Sequence, residues 1–91
     1  MLPIRWNQAA LDDLGILIGH VARFNALAAE VLSDRIMSSV LPTSEHPYLF
    51  RPGRVPGTRE IVAHPNHIVV YRVTDAEIEV VEVLHARQQY P

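Results

Sequence analysis

The chain contains no cysteine and no lysine. Without cysteine there is neither a disulfide framework nor a thiolate site, and cysteine usage says nothing about redox compartment. Without lysine, its eight fixed cations are all arginine, and they face ten acidic residues for a net charge of -2. A protein that grips nucleic acid through phosphates usually carries a clear basic excess, so a globally basic surface is excluded and only a local patch remains. No apolar run approaches the roughly 20 residues needed to span a membrane. The start, Met1 to Asn7, lacks a basic segment followed by an apolar core, so no signal peptide is expected and the cytoplasm is the default compartment. A glycine-rich phosphate cradle is missing as well: Gly53-Arg54-Val55-Pro56-Gly57 places proline where amide donors would be needed. There is no internal repeat and no low-complexity tract.

What is present suits an ordered domain. Hydrophobic residues make up 48% and charged residues 20% of 91 positions, enough for one two-layer core, and a single domain over 1–91 is expected. The strongest local signal runs from Gly57 to His85. Three runs dominated by β-branched residues (Gly57–Ala63, Ile68–Val73 and Glu77–His85) are divided by His64-Pro65-Asn66-His67 and by Thr74-Asp75-Ala76. β-branched side chains favour a pleated strand, and breaks this short force antiparallel neighbours, which predicts a three-stranded meander. In the last run Ile78 and Val80 point one way and Val81 and Val83 the other. Either a bulge re-registers that strand or its second half is covered on both faces, the latter suiting a central position with Leu2–Trp6 beside it.

Upstream, Ala10, Leu14, Leu17, Ile18 and Val21 recur at helical spacing within Gln8–Phe24, with Asn7 as the expected N-cap and Asp12 and Asp13 early in the helix. Asn25 is placed to cap a second helix from Ala26 to about Leu41, where Leu32, Ile36 and Val40 recur by fours, with Ala28 and Val31 beside them. Pro42 ends it. Gly15 and Gly19 share one face of the first helix and would allow close approach of a neighbour, the second helix being the expected one. The segment Thr43–Pro56, with three prolines and Gly53, is irregular, and Tyr48-Leu49-Phe50 within it is apolar enough to pack or form a brief strand. The fold class is therefore α+β: a short N-terminal strand and an antiparallel helical hairpin packed on an antiparallel sheet of three to four strands.

Protonatable and basic side chains gather at strand ends: Arg59, Arg72, His85 and Arg87, with Tyr90 just beyond. An arginine fork suits phosphate or carboxylate, histidine moves protons near neutrality, and tyrosine stacks on a base or serves as a weak acid. Together they sketch a metal-free ribonuclease. The alternative is structural: Arg59 and Arg72 paired with Glu60, Glu77, Glu79 or Glu82 across the sheet. His64 and His67 flank a turn and read as solvated, while His20, His46 and His85 lie in unrelated segments, so neither a metal nor any other cofactor is expected. No serine or threonine is paired recognisably with a histidine and an acid. Trp6, Tyr48, Phe50 and Tyr71 are scattered and not interleaved with basic residues, so they read as core anchors and not as a stacking stripe for nucleic acid.

The combination resembles the RelE/ParE superfamily of toxins from bacterial type II toxin–antitoxin modules. The likeness is carried in order by Ala10-Leu11-Asp12-Asp13-Leu14, Ala28-Ala29, Ser44-Glu45-His46-Pro47 and above all Gly57-Thr58-Arg59-Glu60-Ile61-Val62. Ile68-Val69-Val70-Tyr71-Arg72-Val73 and Val83-Leu84-His85-Ala86-Arg87-Gln88-Gln89-Tyr90-Pro91 continue it. The details are more similar to the ParE branch, often labelled plasmid stabilisation proteins. The resemblance implies a cytoplasmic growth inhibitor, neutralised by a cognate antitoxin that wraps a flexible C-terminal segment over it. It implies DNA gyrase as the target, with no direct DNA binding, and Arg59, His85, Arg87 and Tyr90 as target-binding residues. The RelE branch instead implies a ribosome-dependent mRNA endoribonuclease, with Arg59, His85, Arg87 and Tyr90 as its catalytic groups. A negative net charge without lysine favours inhibition by binding over catalysis. A degenerate member that only binds its antitoxin is a further alternative.

Overall fold

A computed structural model describes residues 1–89. Strand β1 (Ile4–Trp6) leads into helix α1 (Gln8–Ala22) and helix α2 (Ala26–Ser39), followed by a 3-10 turn at Leu41–Ser44. Strands β2 (Arg51–Pro52), β3 (Arg59–His64), β4 (His67–Val73) and β5 (Ile78–His85) complete the fold. The expected meander forms as β3-β4-β5, and the sheet order is β1-β5-β4-β3-β2. Two expectations are corrected. The sheet has five strands, because Arg51–Pro52 adds a two-residue strand on β3. It is also mixed, because β1 runs parallel to β5 after a crossover through the helices.

Asn25 caps α2 as expected, its side chain accepting the Ala28 amide at 3.0 Å. Asn7 occupies the N-cap position of α1 but makes no capping bond. Its Oδ1 accepts from Arg5 at 2.7 Å and its amide donates to Glu79 at 3.0 Å, so a charged partner outcompetes the helix end. Asp12 and Asp13 fall beyond the first turn; Asp12 accepts from Gln8 and Asp13 from the Val83 amide. Helix α2 stops at Ser39, two residues short of the expected end, and Pro42 is absorbed into the 3-10 turn.

The helices cover one face of the sheet, α1 over β5 and α2 over β3. Ala10, Leu14, Ile36 and Val40 meet Ile61, Val69, Tyr71, Ile78 and Val80 in the main core. On α2 the buried alanine is Ala29; Ala28 and Val31, expected beside the apolar stripe, are exposed. Gly15 and Gly19 do not mediate contact between the helices: both are exposed, and a Cβ at either would meet nothing within 4 Å. Trp6 and Phe50 pack against the core, whereas Tyr48, expected as an anchor, is 67% exposed. Tyr71 is fully buried on the central strand, edge-on to Phe50 at 6.4 Å between centroids, and its hydroxyl donates to the Pro47 carbonyl at 2.6 Å. Burial pushes its phenol above the ordinary range. At Gly57, φ is +84°, a backbone conformation that excludes most side chains and turns the chain into β3.

In β5 the alternatives of bulge and two-sided cover are both realised. Pairing steps from Val70–Glu82 to Tyr71–Val80, leaving Val81 as the extra residue. On the far side of the sheet Ile68, Val70 and Leu84 form a second small cluster with Ala86 against it.

Tyr71→Phe should cost about 1 kcal/mol in urea unfolding, the net value of one buried hydrogen bond. Ile36→Ala, emptying the space between α2 and the sheet, should cost about 2–5 kcal/mol. A Tyr71→Phe chain as stable as the parent would show that the tie to Pro47 contributes nothing.

Candidate functional site

Residues directly paired across antiparallel strands share a face. Arg59 pairs with Tyr71 and so lies on the helix-covered side, while Arg72, the next residue on β4, lies on the other. The two arginines sit at the same end of the sheet but on opposite faces. The Arg59 guanidinium donates to the Phe50 carbonyl at 2.8 Å and stacks over the Tyr48 ring with its carbon 4.9 Å from the centroid. It fastens the segment before β2 to β3. Arg72 bonds Glu79 at 3.3 Å, as the structural alternative expected.

The outer face carries two further ionic groups. Glu79 lies between Arg5 and Arg72 and accepts from Asn7; the Asn7 amide, with both guanidinium charges, holds its carboxyl below the ordinary carboxylate range. Glu60 is only 3% exposed. One of its oxygens accepts from Arg51 at 3.2 Å; the other accepts the Arg54 amide at 2.9 Å and lies 3.6 Å from the Arg54 guanidinium. A carboxylate of the chain itself thus occupies the place where two arginine forks converge. Sequence reasoning missed Arg51 and Arg54 as partners of Glu60, because the pairing depends on a two-residue strand in a proline-rich segment.

His85 lies at the opposite end of the sheet from Arg59. Four residue rows along the strands and two strand spacings across separate them, on the order of 16 Å. The structure therefore does not bring Arg59 together with His85 and Arg87, and the ribonuclease constellation is not assembled among the described residues. His85 and Arg87 are neighbours, the Arg87 amide donating to His85 Nδ1 at 3.1 Å. Tyr90 lies outside the described residues.

What joins His85 instead is the pair of turn histidines. His64 pairs with His67 and His67 with His85, so three imidazoles form a row across β3, β4 and β5, with centroids 5.2 and 5.6 Å apart. His67 is half-buried, and burial first, then the neighbouring His64 and His85, hold it below the ordinary imidazole range. The row corrects the expectation that His85 lies apart from solvated turn histidines. The two hairpin registers were the signal that could have found it. Among the described residues no group of three or more histidine or acidic side chains is arranged to hold a metal ion, and none of their helices is long and apolar enough to cross a membrane.

The helical hairpin also exposes large apolar side chains, Ile16, Phe24, Leu27 and Val31, each 60% accessible or more. Leu27 and Val31 border a groove beside Arg35 and His64.

Residues 4–90 match the family model described as the ParE toxin of type II toxin–antitoxin system, parDE. The chain belongs to the ParE toxin family. Among curated relatives of this ParE-family chain, one described as toxin Y4kP of Sinorhizobium fredii is 36% identical over 89 residues, covering 97% of this chain and 92% of the relative. Toxin RelE2 of Caulobacter vibrioides is 28% identical over 88 residues, covering 94% and 97%. Among solved structures, a chain of a chromosomal ParDE TA system from P. aeruginosa superposes with a TM-score of 0.83 at 22% identity, covering 93% of this chain and 96% of that one. A copper-bound mutant toxin from Helicobacter pylori gives 0.67 at 18% identity, covering 99% and 100%. Both share the α+β fold of this chain, and the family assignment makes the chain a type II toxin–antitoxin toxin.

Glu60→Gln should destabilise the ParE-family fold by about 1.5–3 kcal/mol, the range for hydrogen bonds to a charged group, measured by urea unfolding. His67 binds its proton less readily folded than unfolded. Its contribution is therefore complete above the ordinary midpoint of 6.5 and is lost as pH falls below it. Melting temperatures recorded across that range should fall on acidification, and fall less for His67→Phe.

Proposed function

We propose that this toxin arrests bacterial growth by binding and poisoning DNA gyrase in the cytoplasm, without acting as a nuclease, and that a cognate antitoxin neutralises it. The observation that carries inhibition by binding is the commitment of the arginines. Arg51 and Arg54 face Glu60, Arg5 and Arg72 face Glu79, and Arg59 is tied to a backbone carbonyl. A phosphoryl-transfer site needs guanidinium groups aimed at an open position, with a proton carrier in reach. Here the nearest arginine fork to an internal carboxylate is already neutralised, and Arg59 is far from His85. Gyrase as the target rests on the ParE assignment.

Two patches suit target contact. His85 and Arg87 form one at the end of β5; Tyr90, which the resemblance adds to them, lies outside the described residues. Arg59 with the exposed Tyr48 and Leu49 forms the other. The solved neighbour from a ParDE TA system supports an antitoxin as the partner. The accessible Leu27 and Val31 beside Arg35 suit the C-terminal segment of such an antitoxin, laid over the helical hairpin.

Purified chain added to gyrase should suppress supercoiling and leave cleaved DNA. Arg87→Ala should weaken that effect about tenfold or more, the loss expected where an arginine anchors an interface. Growth arrest with intact replication and rapid loss of transcripts would overturn the gyrase reading in favour of RelE-like mRNA cleavage. A folded chain without any effect on growth would leave only antitoxin binding.

A further inference from the structure

Two of the three histidines in the row act as hydrogen-bond acceptors for the backbone. His64 Nδ1 accepts the Asn66 amide at 3.0 Å, and His85 Nδ1 accepts the Arg87 amide at 3.1 Å. An imidazole nitrogen accepts only while it carries no proton; in the imidazolium both nitrogens are donors. Each bond therefore exists only in the neutral form. The two turns are also joined directly, the Ala86 amide donating to the Asn66 carbonyl at 2.8 Å, and Gln88 closes the second turn by donating to the His85 carbonyl at 2.9 Å. Between the two acceptors stands His67, whose Nδ1 is buried and has no hydrogen-bond partner among the described residues.

We propose that His64, His67 and His85 form a proton-sensitive latch, which fastens the β3–β4 turn and the segment 86–88 to the end of the sheet while neutral and releases both on acidification. Charge on any one ring opposes charge on its neighbours at these separations, so release is coupled along the row. Other groups face it from each packed element. Asp13 of α1 shares a hollow with His67 and His85, but its carboxylate is engaged by the Val83 amide at 3.1 Å. Arg35 of α2 shares a groove with His64 and donates to the Ala63 carbonyl at 3.0 Å. Arg87 follows His85 in the chain. Of these groups the two guanidiniums carry the same sign as a protonated ring, and the carboxylate already accepts from the Val83 amide. The latch stands on this geometry whichever target the toxin acts upon.

Two-dimensional NMR of the full chain, followed from about pH 7.5 to about pH 5.5 across the ordinary imidazole midpoint, tests it. The Asn66 and Arg87 amide resonances should move over this interval together with the ring signals of His64 and His85, while His67 titrates below the ordinary imidazole midpoint. His85→Gln supplies an acceptor that does not titrate: the Arg87 response should be lost and the His67 midpoint should rise. If that variant does not fold, His67→Gln serves, and the His64 and His85 midpoints should rise. Asn66 and Arg87 amides that stay fixed while the imidazoles titrate, or three histidines titrating independently at one midpoint, would overturn the proposal.

Discussion

The extra residue at Val81 sets both faces of this sheet. Side chains alternate along a strand, so after Ile78 and Val80 the next side chain toward the helices would be Glu82. The bulge shifts the register and puts Val83 there, sending Glu82 and Leu84 to the outer face. The main core stays continuous, and Leu84 meets Ile68 and Val70 on the other side. The same shift brings His85 onto the face of His67. Because β1 pairs only as far as Val80, the strand beyond the bulge has no strand neighbour on that side among the described residues, and the carboxylate of Asp13 takes the Val83 amide instead.

Around that frame the charges are arranged for internal neutralisation. Glu79 and Glu60 each collect two arginines on the outer face. A catalyst working on phosphate would keep such forks open; a protein that recognises another protein has no need to. The surfaces left for recognition are apolar helical side chains, a cationic lip at Tyr48 and Arg59, and the end of β5. That distribution agrees with a chain whose net charge is slightly negative.

The meander, the two helices and the placement of β1 beside β5 were legible because each rests on strong local chemistry: β-branched runs, proline and asparagine punctuation, and apolar spacing by fours. Asn25 as a cap was legible for the same reason. Asn7 was not, because whether an asparagine caps depends on competing partners, and Arg5 and Glu79 come from other strands. Gly15 and Gly19 looked like a contact between helices, yet spacing alone does not say which side of a helix is covered. The ion pairs of Glu60 and the histidine row are products of register, joining residues whose sequence distance gives no hint of contact.

Both outer strands of the sheet are very short, three residues in β1 and two in β2. Past β2 the rim of β3 is interrupted by a register irregularity between Val62 and His64, and Arg35 reaches down to occupy the carbonyl of Ala63. Strand rims of this kind offer little template for another copy to dock upon. A toxin released from its companion would thus have no long ladder by which to polymerise, and the apolar crest of its helices would be the surface that governs its solubility.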